Sequence, residues 1–355
     1  MALYQLCEYT RFYPHYYVLR NVDVKSREDG GSLSDVYKGR LGGHILCLKV
    51  MRLNKSDTIA ALGAYTKEAV LWGEMRHPNI VPFYGIFYLD EAHTQLCLVS
   101  PWMKNGDVVG YLKDNPDASR ESLVGIRFPP TIPKSFTNPK IYDVALGLEY
   151  LQAQKLVHSD LKGANILVDD DGRACITDFG MTFLRLDAMM PLAIGLSQHL
   201  GYPSYRWLAP ELAVDDTRPT LKSDIWAFGC VCFEVLSGLL PFHGCRADPQ
   251  IIMRLHRGEL PSGSDPQVIA GIDDDMYKLM SRCWSKDPAG RPSCREILKI
   301  LRMKGVTGKN VDADRTRRFQ LATADETVDL TKIGEILGEV PLKNHSAVIT
   351  TIIVI

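Results

Sequence analysis

The chain has no Cys-x-x-Cys pair, no internal repeat, no apolar run long enough to cross a bilayer and no basic cluster beyond short runs such as Arg315-Thr316-Arg317-Arg318. Each absence closes off a class. The nine cysteines are scattered and odd in number, with no His at metal-ligand spacing, which argues against structural zinc or a disulfide framework and fits reduced thiols. A net charge of −1 leaves no electrostatic footprint for nucleic acid or an anionic membrane. The most apolar segment, 225–240, contains Glu234 and follows Asp224, so it reads as a buried core helix rather than a membrane span. The closing stretch 347–355 is about half the length a spanning helix needs. Met1-Ala2-Leu3-Tyr4 leads into polar and aromatic residues without the apolar core of a leader, so the expected setting is cytoplasmic.

What is present is a chain of 355 residues, 46% apolar and 23% charged, which suits two lobes with a substantial buried core. From Asn21 to about Leu98, short alternating runs such as Ile45-Leu46-Cys47-Leu48-Lys49-Val50, broken at Gly30-Gly31 and Gly42-Gly43, predict hairpins. One helix interrupts them: Ser56-Asp57 offers an N-cap, and Ala61, Tyr65, Glu68 and Trp72 share a face. Beyond Gly106 the pattern turns helical, with stripes at Ile141, Val144, Leu148 and Leu151, at Met276, Leu279, Met280 and Cys283, and at Ile297, Ile300 and Leu301. The expected class is α+β and bilobal, with a β-rich lobe over about 21–100 and a larger helical lobe over about 104–304. Residues 1–20 read as an N-terminal extension. The aperiodic stretch 120–139, with four prolines, reads as an insert. A tail, 305–355, is expected outside the compact domain, with one helix near 330–337.

The chemistry concentrates in His158-Ser159-Asp160-Leu161-Lys162-Gly163-Ala164-Asn165 and in Asp178-Phe179-Gly180. Strand-like 155–157 and 166–168 flank the first segment, so Asp160 and Asn165 sit on a tight loop, and 174–177 delivers Asp178 from the next strand. Singly, Asp, Asn and Gly are ordinary turn residues. Together they supply a base for a hydroxyl, Asp160, and two Mg2+ ligands, Asn165 and Asp178, the parts phosphoryl transfer requires. Lys162 lies within reach of the transferring phosphate. Glu68, on a buried helical stripe, needs a partner, and Lys49 at the end of an apolar strand is the natural one. Lys49 then binds nucleotide phosphates and Glu68 orients it.

In order, these motifs resemble the eukaryotic protein kinase domain over roughly 21–304. Arg206-Trp207-Leu208-Ala209-Pro210-Glu211, Cys283-Trp284 and the form of the 158–168 segment resemble the tyrosine-kinase-like group, whose members are mostly Ser/Thr kinases. The resemblance implies a bilobal kinase fold, ATP and Mg2+ as cofactors, and protein substrates. It makes Ser100 the gatekeeper, Pro101-Trp102-Met103 the adenine-contacting hinge, and Val36, Cys47 and Leu167 the adenine sandwich. Trp72, Phe83, His158 and Phe179 become a stack coupling the lobes. Ser204 is to contact the catalytic loop, Glu211 to pair with Arg291, and Asp224 to hold the loop's amides, a role compatible with a plain N-cap.

Three departures stand out. The phosphate-covering loop keeps Gly31 but has Asp29 and Ser34 at the other two glycine positions, so weak nucleotide binding, or a loop that leans on Gly30 and Ser34, is expected. Ser159 replaces the arginine that reads a phosphorylated activation segment, so control by such phosphorylation is expected to be slight. The segment's middle, 189–194, is apolar enough to pack down over the site or meet a regulatory protein. The reading is a Ser/Thr protein kinase of intracellular signal transduction. Its competitor is a pseudokinase scaffold, disfavoured because Lys49, Asp160, Asn165 and Asp178 are all present.

Overall fold

A computed structural model describes residues 18–30, 34–51, 68–90, 95–115, 139–180, 182–184, 204–214, 217–263, 266–303 and 315–323. Gly31, the insert up to residue 138, the 189–194 run and the helix expected near 330–337 lie outside the described residues.

The first lobe is an antiparallel sheet of β1 (Asp23–Gly30), β2 (Ser34–Leu41), β3 (His44–Met51), β4 (Gly85–Tyr88) and β5 (Leu96–Pro101), in the order β1-β2-β3-β5-β4. Strand alternation gives it two apolar faces. On one face Leu46, Leu48, Val50, Cys97 and Val99 join one buried cluster; on the other Leu96 and Leu98 pack with helical residues 68–73 (α1), through Ala69 and Trp72. The same alternation turns Cys47 and Lys49 away from the Leu46–Leu48 face. Leu19 adds to the edge of the sheet by donating its backbone N–H to Ile86.

The second lobe holds α2 (Val108–Asp114), α3 (Pro139–Ala153), α4 (Pro210–Val214), α5 (Leu221–Ser237), α6 (Asp248–His256), α7 (Pro266–Ala270), α8 (Asp274–Cys283) and α9 (Cys294–Met303). Two small ribbons lie between them, β6 (Leu156–Val157) with β9 (Phe183–Leu184) and β7 (Ile166–Val168) with β8 (Ala174–Ile176). Helix α5 is the central post. Thr220 and Ser223 close a reciprocal capping box at its start, and Gly238, at φ 70°, ends it in the left-handed conformation that glycine adopts without strain. Asp224 is therefore not the N-cap; it lies inside the first turn, free for another task.

A last helix, α10 (Arg315–Ala322), belongs to the segment expected outside the compact domain. It packs on the domain instead: Phe319 is buried in the outer cluster of the sheet with Leu46 and Leu48. The physical reason is that the sheet's outer face is too apolar to be left to water.

Candidate active site

Two acids on α5 fix the loop that carries the chemistry. Asp224 accepts the backbone N–H groups of His158, at 2.8 Å, and Ser159, at 3.0 Å. Glu234, ten residues on and so about 15 Å along the helix, accepts Gly163 N–H at 2.9 Å. The loop is thereby held at both ends. A side chain at Gly163 would collide with Val109 and Glu234, its built Cβ lying 2.7 Å from Val109. Ser159 and Asp178 both sit at positive φ, 71° and 67°. Each costs about 1–2 kcal/mol, and the surrounding hydrogen bonds hold it there.

Within the loop, Asp160 Oδ2 accepts hydrogen bonds from Lys162 Nζ at 2.8 Å and Asn165 Nδ2 at 3.0 Å. Lys162 Nζ also donates to Ser204 Oγ at 3.0 Å, joining the loop to the segment that ends at Ala209-Pro210-Glu211. Asp160 remains 21% exposed at its side chain, so a substrate hydroxyl can approach it. The Ser159 hydroxyl, where the kinase pattern has arginine, is buried with no hydrogen-bond partner among the described residues.

Lys49 departs from its expected pairing. Its Nζ donates to Asp178 Oδ1 at 2.8 Å, and no ion pair joins it to Glu68 among the described residues. Glu68 is buried, 2% exposed, with Oε1 unpartnered among the described residues, and Oε2 faces the backbone at Gly180, where a built Cβ would come within 3.2 Å. Burial raises its carboxyl above the usual range, nearby Lys49 opposes this and Asp178 adds to it. Burial works against the Lys49 ammonium too, but Asp178 and Glu68 outweigh it and hold its pKa above the ordinary lysine value. Sequence spacing put one carboxylate near Lys49; the fold brings two, and the shorter loop-borne Asp178 wins the contact.

The stack expected to couple the lobes is assembled: Trp72 lies 5.3 Å from Phe83 and 5.7 Å from Phe179, which lies 5.5 Å from His158. His158 Nε2 bonds Thr177 O at 2.9 Å, and Trp72 Nε1 donates to Val81 O at 2.6 Å. In the sheet, Val36 is opposite Lys49 and Cys47 opposite Ser100, while Leu167 lies in β7 and Pro101 ends β5. Met103 is half-buried in the connection that follows. Gly30 pairs with Asp35 and Asp29 with Val36, so the two flanks of the degenerate loop are antiparallel partners. Ser34 is the first residue of β2.

Further from the reacting groups, Glu211 and Arg291 form a bidentate pair, Nη1 to Oε1 and Nη2 to Oε2, both 2.7 Å. Two residues were missed in the sequence. Glu234 Oε2 also accepts Trp207 Nε1 at 2.6 Å, and Arg206 donates to the carbonyls of Pro241, Phe242 and Cys245. The signal for Glu234 was there: a carboxylate inside an apolar helix needs a partner just as Glu68 does.

Burial pushes the Glu234 carboxyl up to about 7 from the ordinary 4.5, against the pull of its Trp207 and Gly163 donors. Because the folded value is the higher one, the native state holds an extra proton between those values, and stability falls as pH rises from about 4.5 through 7. Glu234→Gln should flatten that decline by about 2–3 kcal/mol. Urea unfolding of both proteins at pH 5 and pH 8 measures it; parallel losses in the two would rule it out.

The donor set suits a hard cation that arrives with phosphate. Asp178 and Asn165 offer oxygens, yet among the described residues no group of three or more metal-ligating side chains forms a cage. A sparse oxygen set of this kind suits a divalent cation whose remaining ligands are substrate phosphates and water. Among the described residues, too, no helix is long and apolar enough to cross a membrane.

A β-rich and a helical lobe meeting over a strand lysine, a loop Asp and Asn and a second Asp define the protein kinase class. The chain belongs to the eukaryotic protein kinase family: the family described as "Protein tyrosine and serine/threonine kinase" matches residues 26–301. It is similar to "Serine/threonine/tyrosine-protein kinase HT1" of Arabidopsis thaliana, 28% identical over 80% of this chain and 66% of that one. It is also similar to "Serine/threonine-protein kinase STY17" of the same plant, 23% identical over 80% and 44%, and to "Tyrosine-protein kinase ABL2" of Homo sapiens, 28% identical over 78% and 21%. The chain therefore spans between about a fifth and two thirds of the length of these relatives. The family implies ATP binding and divalent metal use.

Proposed function

We propose that this chain is an ATP- and Mg2+-dependent protein kinase that phosphorylates Ser and Thr hydroxyls of protein substrates in intracellular signalling. The observation that carries the reading is Lys162 bridging Asp160 and Ser204. Asp160 Oδ2 accepts the proton of the attacking hydroxyl, while Lys162, held by both partners, offers its charge to the transferring phosphoryl group. Asn165 and Asp178 would hold Mg2+, which when bound would neutralise phosphate charge. Lys49 would bind nucleotide phosphates in place of Asp178, and Val36, Cys47 and Leu167 would enclose adenine beside the Ser100–Met103 hinge. A cytoplasmic setting accords with the described cysteines, all free thiols and all but Cys47 buried.

The relatives' printed names include Ser/Thr, Tyr and dual activities, so the acceptor needs its own test. Radiolabelled phosphate transfer to a mixed peptide pool, followed by phosphoamino-acid analysis, should give phosphoserine and phosphothreonine with little phosphotyrosine. A phosphotyrosine-dominated product would overturn the acceptor assignment. Glu68, with no ion pair among the described residues, and the glycine-poor loop favour a second reading, a scaffold that binds nucleotide weakly. ATP- and Mg2+-dependent thermal stabilisation with no transfer to any pool would establish it.

A further inference from the structure

We propose that α10 is a strap that ties the two lobes together across the rear of the cleft. The helix lies outside residues 26–301, the part of the chain that matches the kinase family, and its two anchors sit one helical turn apart.

The first anchor is Phe319, 1% exposed in the outer cluster of the first lobe. Its ring stacks on Tyr84 at 3.8 Å with planes 1° apart, and meets the edge of His44 at 5.3 Å. Thr323 continues the contact at the β2–β3 turn, where a Cβ built on Gly42 would lie 3.2 Å from its methyl group.

The second anchor is Arg315. It donates to Asp169 Oδ2 at 2.6 Å and to Asp171 Oδ2 at 3.1 Å, in the β7–β8 turn. That ribbon packs on the second lobe, where Asp143 of α3 accepts Ala174 N–H at 3.0 Å, and β8 also exchanges backbone hydrogen bonds with Asn79 and Val81, so α10 adds to a point where the lobes already meet. Asp169 is 1% exposed and also takes Arg173 Nε at 2.9 Å. A buried carboxylate with two guanidinium partners is a costly one to strip of either. Its backbone carbonyl accepts Asn105 Nδ2 at 2.7 Å, so the anchor adjoins the chain just past the hinge.

Residues 315 and 319 share one helical stripe, so a single turn grips β-sheet and β7–β8 ribbon at once. A hinge motion that widened the cleft would have to unstack Phe319 from Tyr84 or part Arg315 from Asp169. The strap therefore limits the angle at which Lys49, from one lobe, meets Asp178, from the other.

Amide hydrogen exchange on the full chain and on Arg315→Gln, Phe319→Ala and Phe319→Leu tests this. Arg315→Gln cuts only the second-lobe anchor, yet exchange in β4 and β5 of the first lobe should quicken by about fivefold. Phe319→Ala should quicken β7 and β8 in the same way, and Phe319→Leu, which keeps an apolar plug, should largely restore protection. If each change stays within its own lobe, α10 is a cover for two separate surfaces and the strap is disproved. Arg315→Gln alone decides the matter if Phe319→Ala does not fold, and none of these readouts depends on nucleotide or on kinase activity.

Discussion

Asp160→Asn should lower phosphotransfer to protein substrates by about 10²–10⁴-fold while leaving nucleotide affinity nearly unchanged. The amide keeps an oxygen for the Lys162 and Asn165 hydrogen bonds, at 2.8 and 3.0 Å in the native protein, so the loop has no reason to collapse. What it loses is a carboxylate able to take a proton from the attacking hydroxyl. Asp178→Asn gives the contrasting pattern: it removes the negative partner of Lys49 and an anionic oxygen for Mg2+, so metal-dependent nucleotide binding should fall as well as turnover. Steady-state transfer assays beside thermal-shift titrations with ATP and Mg2+ separate the two. Wild-type turnover by Asp160→Asn would remove Asp160 from the role of base.

The second large effect is on stability. Glu211→Ala leaves a guanidinium whose side chain is 0% exposed without its carboxylate, at a cost of about 3–5 kcal/mol. The carbonyls of Ser285 and Lys222 still accept from Arg291, and Trp226 lies 5.2 Å beneath it, so it stays in place as an uncompensated charge. Arg291→Lys should fail too, since an ammonium cannot reproduce two parallel hydrogen bonds of 2.7 Å. Replacing both residues, Glu211→Leu with Arg291→Met, should recover much of the loss, because burial of two charges is itself unfavourable. Urea unfolding of the single and double variants closes the cycle, and a single-variant loss below about 1 kcal/mol would falsify the buried-pair argument.

Both expectations rest on features legible without a structure. Asp160, Asn165 and Asp178 were picked out because their residue types and spacing in one short stretch of chain match the kinase pattern, with local strand and turn signals placing them on adjoining loops. Glu211 with Arg291 was read only through family resemblance, since 80 residues separate them and no local rule joins two such charges. The two lobes followed from hydrophobic period, which changes from two-residue alternation in Ile45–Val50 to helical spacing in Ile141–Leu151.

The sequence by itself therefore determined the bilobal class, the loop that carries Asp160 and Asn165, and the presence of Lys49, Glu68 and Asp178 as a charged set. Tertiary structure alone decided how that set is wired. Charge and burial told that Glu68 and Lys49 need partners, but which carboxylate reaches the ammonium depends on distances across the cleft, and those favour Asp178 at 2.8 Å. The same holds for Glu234, whose partners, the Gly163 amide and the Trp207 indole, no residue pattern marked, whereas the amide-holding role of Asp224 came from the family resemblance. It holds most plainly for Phe319: an aromatic after a basic run looks like solvated tail, and becomes core only because folding leaves an apolar sheet face in need of cover.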